Sequence, residues 1–205
     1  MGTPRTRKRR TYHHGDLPAA LLDAADKLVA EKGPAGFSLR EAARVVGVDP
    51  AACYRHFRDR EAILQALARR GFTRFAATLA AVVATSRKRP AGILAELGRA
   101  YVKFALDHPS AFRAMFGPNG FDARDPRLRG DYPDGIGAFE RVQRAIAAWS
   151  EAEALALDIE QAALVMWSGV HGVACLLIDG ALQLDDHGKL VDATVATLIA
   201  GLAAK

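Results

Sequence analysis

An all-α fold is what this sequence predicts, and three observations carry the prediction. Apolar residues recur at helical spacing through most of the chain, as at Leu17, Leu21, Ala24 and Leu28. Capping residues, glycines and prolines punctuate these segments where helices start and stop. No segment alternates apolar and polar residues as a half-buried strand does, and no internal repeat is visible.

The 205 residues are enough for one sizeable core, or a core with a small satellite. Half of them are apolar and a quarter charged, ordinary proportions for a globular chain. Residues 1–72 carry 14 Lys and Arg against 8 Asp and Glu, while the remainder carries 14 against 15. The N-terminal third is therefore the part with an electrostatic reason to meet a polyanion. No apolar run is read as reaching the ~18 residues that cross a bilayer, the nearest approach being Val173 to Ile178. The basic N-terminus lacks the apolar stretch and small-residue cleavage site of a secretory signal, so a cytoplasmic location without membrane contact is expected. Cys53 and Cys175 are far apart and lack metal or redox spacing, which predicts two small core hydrophobes.

The elements follow in order. Residues 1–14, with Arg5, Arg7, Lys8, Arg9 and Arg10 and almost nothing apolar, read as a disordered basic arm. Asp16 caps a first helix that Gly33 stops. Ser38-Leu39-Arg40-Glu41 is a capping box opening a short helix that halts at Gly47. Asp49 and Pro50 then start a second short helix reaching about Phe57. Asp59 caps a long helix to about Thr85, with Ile63, Leu64, Leu67, Phe72 and Phe75 as apolar stations. Amphipathic segments follow near 91–107, 110–116, 136–152, 158–181 and 187–203, and the Gly/Pro/Asp-rich stretch Gly117 to Pro133 reads as a loop. The predicted division is an arm at 1–14, a small domain at 15–60 and a larger one at 61–205.

Two short helices around a glycine turn, FSLREAARVVGVDPAACYRHF, form the layout of a helix-turn-helix. Ala42, Ala43, Val46, Val48, Cys53 and Phe57 are available to clamp the pair. Ala51, Ala52, Tyr54, Arg55 and His56 are left to face outward. Over about residues 15–70 the chain resembles the TetR family, through FSLREAA, GVDPAACYRHF and the DREAIL opening of the next helix. Asp49, Cys53 and Arg60 stand where Ser or Thr, Leu and Lys are commoner in that family. The resemblance implies phosphate contacts from Ser38, Tyr54, His56 and Arg60. Arg40 and Arg55 are the residues able to bond guanine in bidentate fashion, and Pro50, Ala51 and Ala52 offer only apolar contact. The alternative readings are a solvated surface for Arg40 and Arg55 and helix-end packing for His56. With few polar base readers, part of the recognition is assigned to DNA shape and to the arm entering a minor groove.

One recognition helix reads few base pairs, so a two-fold homodimer is expected, through the last two helices as the resemblance implies. Ala162, Ala163, Gly169, Gly172 and Ala174 on one and Leu190, Val191, Thr194, Val195, Leu198 and Leu202 on the other are the residues read for that interface; burial within one subunit is the alternative. Trp167, His171 and Gly172, with the opening YHHGDL, resemble a subtype with a Trp…His-Gly C-terminal domain. Tyr101, Phe104, Phe112, Met115, Phe116, Trp149, Trp167 and His171 are expected to line a pocket for a small apolar or aromatic effector. The alternative there is a dry core in which His171 bonds a backbone carbonyl. No histidine pair has the i, i+4 spacing of a helical zinc site, and neither metal nor cofactor is expected. No nucleophile elbow, zinc-protease or phosphate-loop motif occurs, which argues against an enzyme. A ligand-responsive repressor on a palindromic operator is the leading expectation; a nucleoid-associated architectural protein without an effector is the alternative.

Overall fold

The computed structural model describes residues 16–117 and 132–204. The basic arm at 1–14 and most of the predicted Gly117–Pro133 loop lie outside the described residues. Among the described residues all regular structure is helical.

α1 (Leu17–Gly36) begins where the Asp16 carboxylate accepts the Ala19 N–H at 3.2 Å. Its periodic stretch breaks at Gly33, φ 74°, and Pro34 to Gly36 add a turn beyond the predicted stop. The capping box of α2 (Leu39–Val46) forms as expected, with Glu41 N–H donating to Ser38 Oγ at 3.3 Å and Ser38 N–H donating to Glu41 Oε2 at 3.0 Å. Gly47 ends α2 at φ 80°, a left-handed conformation that glycine adopts without a Cβ clash, and its N–H closes on the Ala43 carbonyl at 2.8 Å. The chain then turns into α3 (Pro50–Tyr54), capped by Asp49 through the Ala51 N–H at 2.7 Å. α3 stops earlier than the predicted Phe57. The His56 and Phe57 N–H groups both close on the Cys53 carbonyl, at 3.0 and 2.9 Å, which tightens the last turn.

α4 (Arg60–Thr85) follows, capped by Asp59. Then come α5 (Pro90–Asp107), α6 (Pro109–Phe116), α7 (Pro133–Ala152), α8 (Ile159–Ile178) and α9 (His187–Ala203). α5 is the axis, touched by α4, α6, α7, α8 and α9. That explains why it buries residues all round, among them Leu94, Leu97, Tyr101, Val102, Phe104 and Ala105. α1 is held by α2, α4 and α6, and one cluster of buried side chains runs from α1 to α9.

Two sequence expectations are corrected. From Gln161 to Ile178 the chain carries no charged residue, and α8 has the length and mean hydropathy, 1.6, to cross a membrane. Here it lies against α5, α7 and α9. Its apolarity has two sides: Ala162, Ala163, Met166, Val170 and Ala174 are buried, while Leu164, Val165 and Leu176 are exposed.

The second correction concerns which faces of α8 and α9 are open. Ala162, Ala163 and Ala174 are consumed inside the subunit. A Cβ at Gly169 would come within 2.5 Å of Leu198, so this glycine lets α8 and α9 of one chain approach. Val191 and Val195 are likewise buried, and Leu190, Thr194, Leu198 and Leu202 are half-buried. The outward stripes are Gln161, Val165, Ser168 and Leu176 on α8, with the expected interface residue Gly172 half-buried among them, and Ala193, Ala196, Thr197, Ala200 and Gly201 on α9. Spacings of three and four residues place each set on one helical face.

Candidate nucleic-acid interface and internal cavity

The glycine turn between α2 and α3 joins a helix pair with a packed side and a bare side. Ala42, Ala43, Cys53 and Phe57 are buried, with Val46 and Val48 half-buried against them. Burial also pushes the Cys53 thiol up, with Asp49 adding to it, as suits a core residue. On the other side Arg40, Pro50, Ala51, Tyr54, Arg55 and His56 are exposed, and Ala52 is half-buried rather than outward. The last three stand consecutively where the helical ladder ends.

Two predicted phosphate contacts already have partners. The Ser38 hydroxyl donates its only proton to Glu41 Oε2 at 3.2 Å, so it can serve a phosphate only by leaving the capping box. Glu41 also takes Lys32 at 2.7 Å, and that ion pair holds its carboxyl below the usual range. Arg60 is exposed and donates one N–H to the Ala35 carbonyl at 2.9 Å, pinning the end of α1 to the start of α4. Its remaining donors have no partner among the described residues.

A cavity of about 640 Å³ lies between α4, α5, α7 and α8. Phe72, Phe75 and Leu79 supply one wall, Leu94, Leu97, Gly98 and Tyr101 the next. Phe116 closes the α6 side, Ile136, Phe139 and Val142 the α7 side, and Met166, Trp167 and Val170 the α8 side. Glu160 and Leu164, one turn apart on α8, are its exposed lining residues and mark the mouth.

Of the residues expected at a pocket, Tyr101, Phe116 and Trp167 line this cavity, whereas Phe104, Phe112, Met115, Trp149 and His171 are not among its lining residues. Phe104 packs on Phe75, Met115 lies over Gly71, and Phe112 stacks on His171 with ring centres 5.4 Å apart. Trp149 is fully buried, and its Nε1–H finds no acceptor among the described residues. The sequence reading missed Phe72, Phe75, Phe139, Met166 and Val170. A helical wheel centred on Trp167 would have found Glu160 and Leu164, which share its flank at −7 and −3.

His171 does not bond a backbone carbonyl; it ends a side-chain relay. Trp167 Nε1–H donates to Tyr101 Oη at 3.1 Å, and Tyr101 Oη lies 2.8 Å from His171 Nδ1. Tryptophan can only donate, so the buried phenol needs His171 Nδ1 as its acceptor. That assigns the proton to His171 Nε2, which faces Cys175 Sγ at 3.4 Å. Burial raises the Tyr101 phenol and the Cys175 thiol and lowers His171, so the relay is neutral.

The relay carries a pH dependence. Folding lowers His171 below its ordinary 6.5, so between the two values the unfolded chain binds more protons. This contribution to stability is complete above 6.5 and is lost as pH falls from there towards the folded value. Urea unfolding from pH 7.5 to 5 is expected to show the decline, and His171→Phe to flatten it. An equal slope in both proteins would remove His171 from the account.

Comparison with known proteins follows this division of the chain. The model for bacterial regulatory proteins of the tetR family matches residues 21–67, and the model for tetracyclin repressor-like C-terminal domains matches residues 94–200. The uncharacterized HTH-type transcriptional regulator YobS of Bacillus subtilis (strain 168) is 34% identical over 94 residues, 46% of this chain. The match spans 48% of that relative, about half its length. A protein of unknown function from Rhodococcus sp. RHA1 superposes with a TM-score of 0.79 at 33% identity, covering 95% of this chain and 100% of that one. The transcriptional regulator FadR from Bacillus subtilis, solved in complex with stearoyl-CoA, shares the fold at a TM-score of 0.71. It is 15% identical, over 89% of this chain and 98% of that one.

Proposed function

This chain belongs to the TetR family of bacterial regulatory proteins, DNA-binding regulators of transcription, and from that premise we propose that it is a cytoplasmic repressor. It grips a palindromic operator as a homodimer and lets go when a ligand fills its cavity. Residues 15–60 serve as the DNA-binding domain and 61–205 as the ligand-binding and dimerisation domain, with 1–14 assigned to the basic arm.

One observation carries the reading: a helix whose inner side, Cys53 with the following Phe57, is buried while Pro50, Ala51, Tyr54, Arg55 and His56 stand bare. A short helix packed on one side and free on the other is what a major groove admits. Arg55 and Arg40 then read guanines, Pro50, Ala51 and Ala52 touch thymine methyls, and Tyr54, His56, Arg60 and Ser38 hold phosphates. For Ser38 the contact runs through its surroundings at the start of α2 unless the capping box opens.

The homodimer uses the outward stripes of α8 and α9. Val165 and Leu176 are exposed there, and a Cβ added at Gly172 or Gly201 would meet nothing within 4 Å in its own subunit. Ligand response is supported by the cavity, whose volume falls inside the ~300–1,000 Å³ of small-molecule sites. A neighbour of the same fold holding stearoyl-CoA supports it too. Such a ligand acts by favouring one spacing of the two recognition helices.

Selection of bound duplexes from a random pool tests the reading. The wild-type chain is expected to recover a palindrome, and Arg55→Ala to lose discrimination at one base pair of each half-site by about 5- to 150-fold, equivalent to ~1–3 kcal/mol. Uniform weakening at every position would move Arg55 to a phosphate. Recovery of no preferred sequence would overturn the operator reading in favour of an architectural role.

A further inference from the structure

The cavity wall has a chemical bias, and from it we infer that the ligand is a lipophilic organic cation, its apolar groups against the aromatic wall and its positive charge drawn by the rings and by Glu160 at the mouth. This inference rests on the ligand-response reading above. Six aromatic residues line the cavity: Phe72, Phe75, Tyr101, Phe116, Phe139 and Trp167. Their faces are electron-rich and attract a cation. The polar atoms on those rings are spoken for, because the Trp167 N–H goes to Tyr101 and the Tyr101 hydroxyl goes to His171. No serine, threonine, asparagine, lysine, arginine or histidine is among the described lining residues.

Against the described lining residues a carboxylate, sulfate or phosphate would lose its water without gaining a donor, which is costly for an anion. The one charged group among the described lining residues is Glu160, exposed in the first turn of α8 and paired with no cation among the described residues. It shares a helical flank with Leu164 and Trp167, so the carboxylate, an aliphatic side chain and an aromatic face succeed one another from the mouth inward. An ion with a delocalised or hindered positive charge enters such a site with little desolvation. A neutral hydrophobe gains only the wall.

Tetraphenylphosphonium and tetraphenylborate, matched in shape and opposite in charge, are the probes. Calorimetry on the full chain is expected to give at least a ~10-fold preference for the phosphonium, from the aromatic faces and Glu160 together. Glu160→Gln is expected to weaken phosphonium binding about 2- to 5-fold and to narrow the preference, as an exposed charge pair allows. Glu153→Gln, exposed and away from the cavity, serves as the control and is expected to change nothing. Equal or tighter binding of the borate, a preference unmoved by Glu160→Gln, or no binding of either ion would each overturn the inference. Operator affinity measured beside these titrations separates the two readings. A phosphonium that binds without changing operator affinity removes ligand response and leaves the charge preference standing. A borate that releases operator does the reverse.

Discussion

Arginine in place of Gly172 is expected to leave each subunit folded, to keep two subunits from joining, and to cost operator affinity on the order of 10³-fold, the lower bound of what separates specific from non-specific binding. The position is chosen for its emptiness. Gly172 sits at the centre of the outward α8 stripe, between Val165 and Leu176, and a Cβ there meets nothing within 4 Å. The monomer therefore accommodates the new side chain. In a two-fold interface the same residue meets its own copy or a close neighbour, so each arginine enters apolar surface twice and brings like charges together. A single recognition helix then faces the operator alone. Sedimentation equilibrium and gel shift read the two effects, and circular dichroism checks the helical content. A Gly172→Arg protein that still sediments as a dimer would place the interface on another face.

Arg70→Ala is expected to lower the unfolding free energy by about 2 kcal/mol, or some 4–8 °C in Tm for a chain of this size. Arg70 of α4 bonds Asp23 at 2.5 Å and Asp26 at 3.1 Å, and reaches the Leu22 carbonyl at 3.4 Å, all on α1. Asp26 in turn accepts the Ser110 hydroxyl from α6. Removing the guanidinium leaves two carboxylates one helical turn apart with no cation between them. Fully buried pairs cost ~3–5 kcal/mol to break this way, but Asp23 is mostly exposed and water relieves part of the loss. Adding Asp26→Asn to Arg70→Ala is expected to recover part of the stability, and the double-mutant cycle isolates that coupling. A loss of stability that the second change leaves untouched would trace the effect to the packing of the arginine stem instead.

This bridge also joins the reading head to the cavity. α1 carries α2 and, through it, α3, while α6 ends in the cavity residue Phe116. In the proposed ligand response, a movement of α6 would reach α1 through Asp26 as well as through apolar contact. Nothing in the spacing of residues 23, 26, 70 and 110 announces this network, because its members come from three helices far apart in the chain.

The helices, their caps and the bare recognition segment were legible from the chain itself. Asp16, Ser38, Asp49 and Asp59 cap as local chemistry requires, and Gly47 turns where only glycine is unstrained. These features depend on residues within four positions of one another, so their energetics are written in consecutive letters. Which side of α8 and α9 faces outward was not legible. Val191 and Val195 are as apolar as an interface would want, yet they are spent on α5 and α8, while plain Ala193, Ala196 and Ala200 are left outside. The cavity was half legible for the same reason: Tyr101, Phe116 and Trp167 were anticipated, but Trp149 and Phe112 fell behind the wall and Phe72 and Phe75 came through it.

Local sequence determined where the capped helices begin, and that one short helix is left bare for a partner. Tertiary structure alone decided which apolar face is core, which is cavity and which is surface. An amphipathic pattern states that a face must be covered, but the identity of what covers it depends on the angles at which distant helices cross.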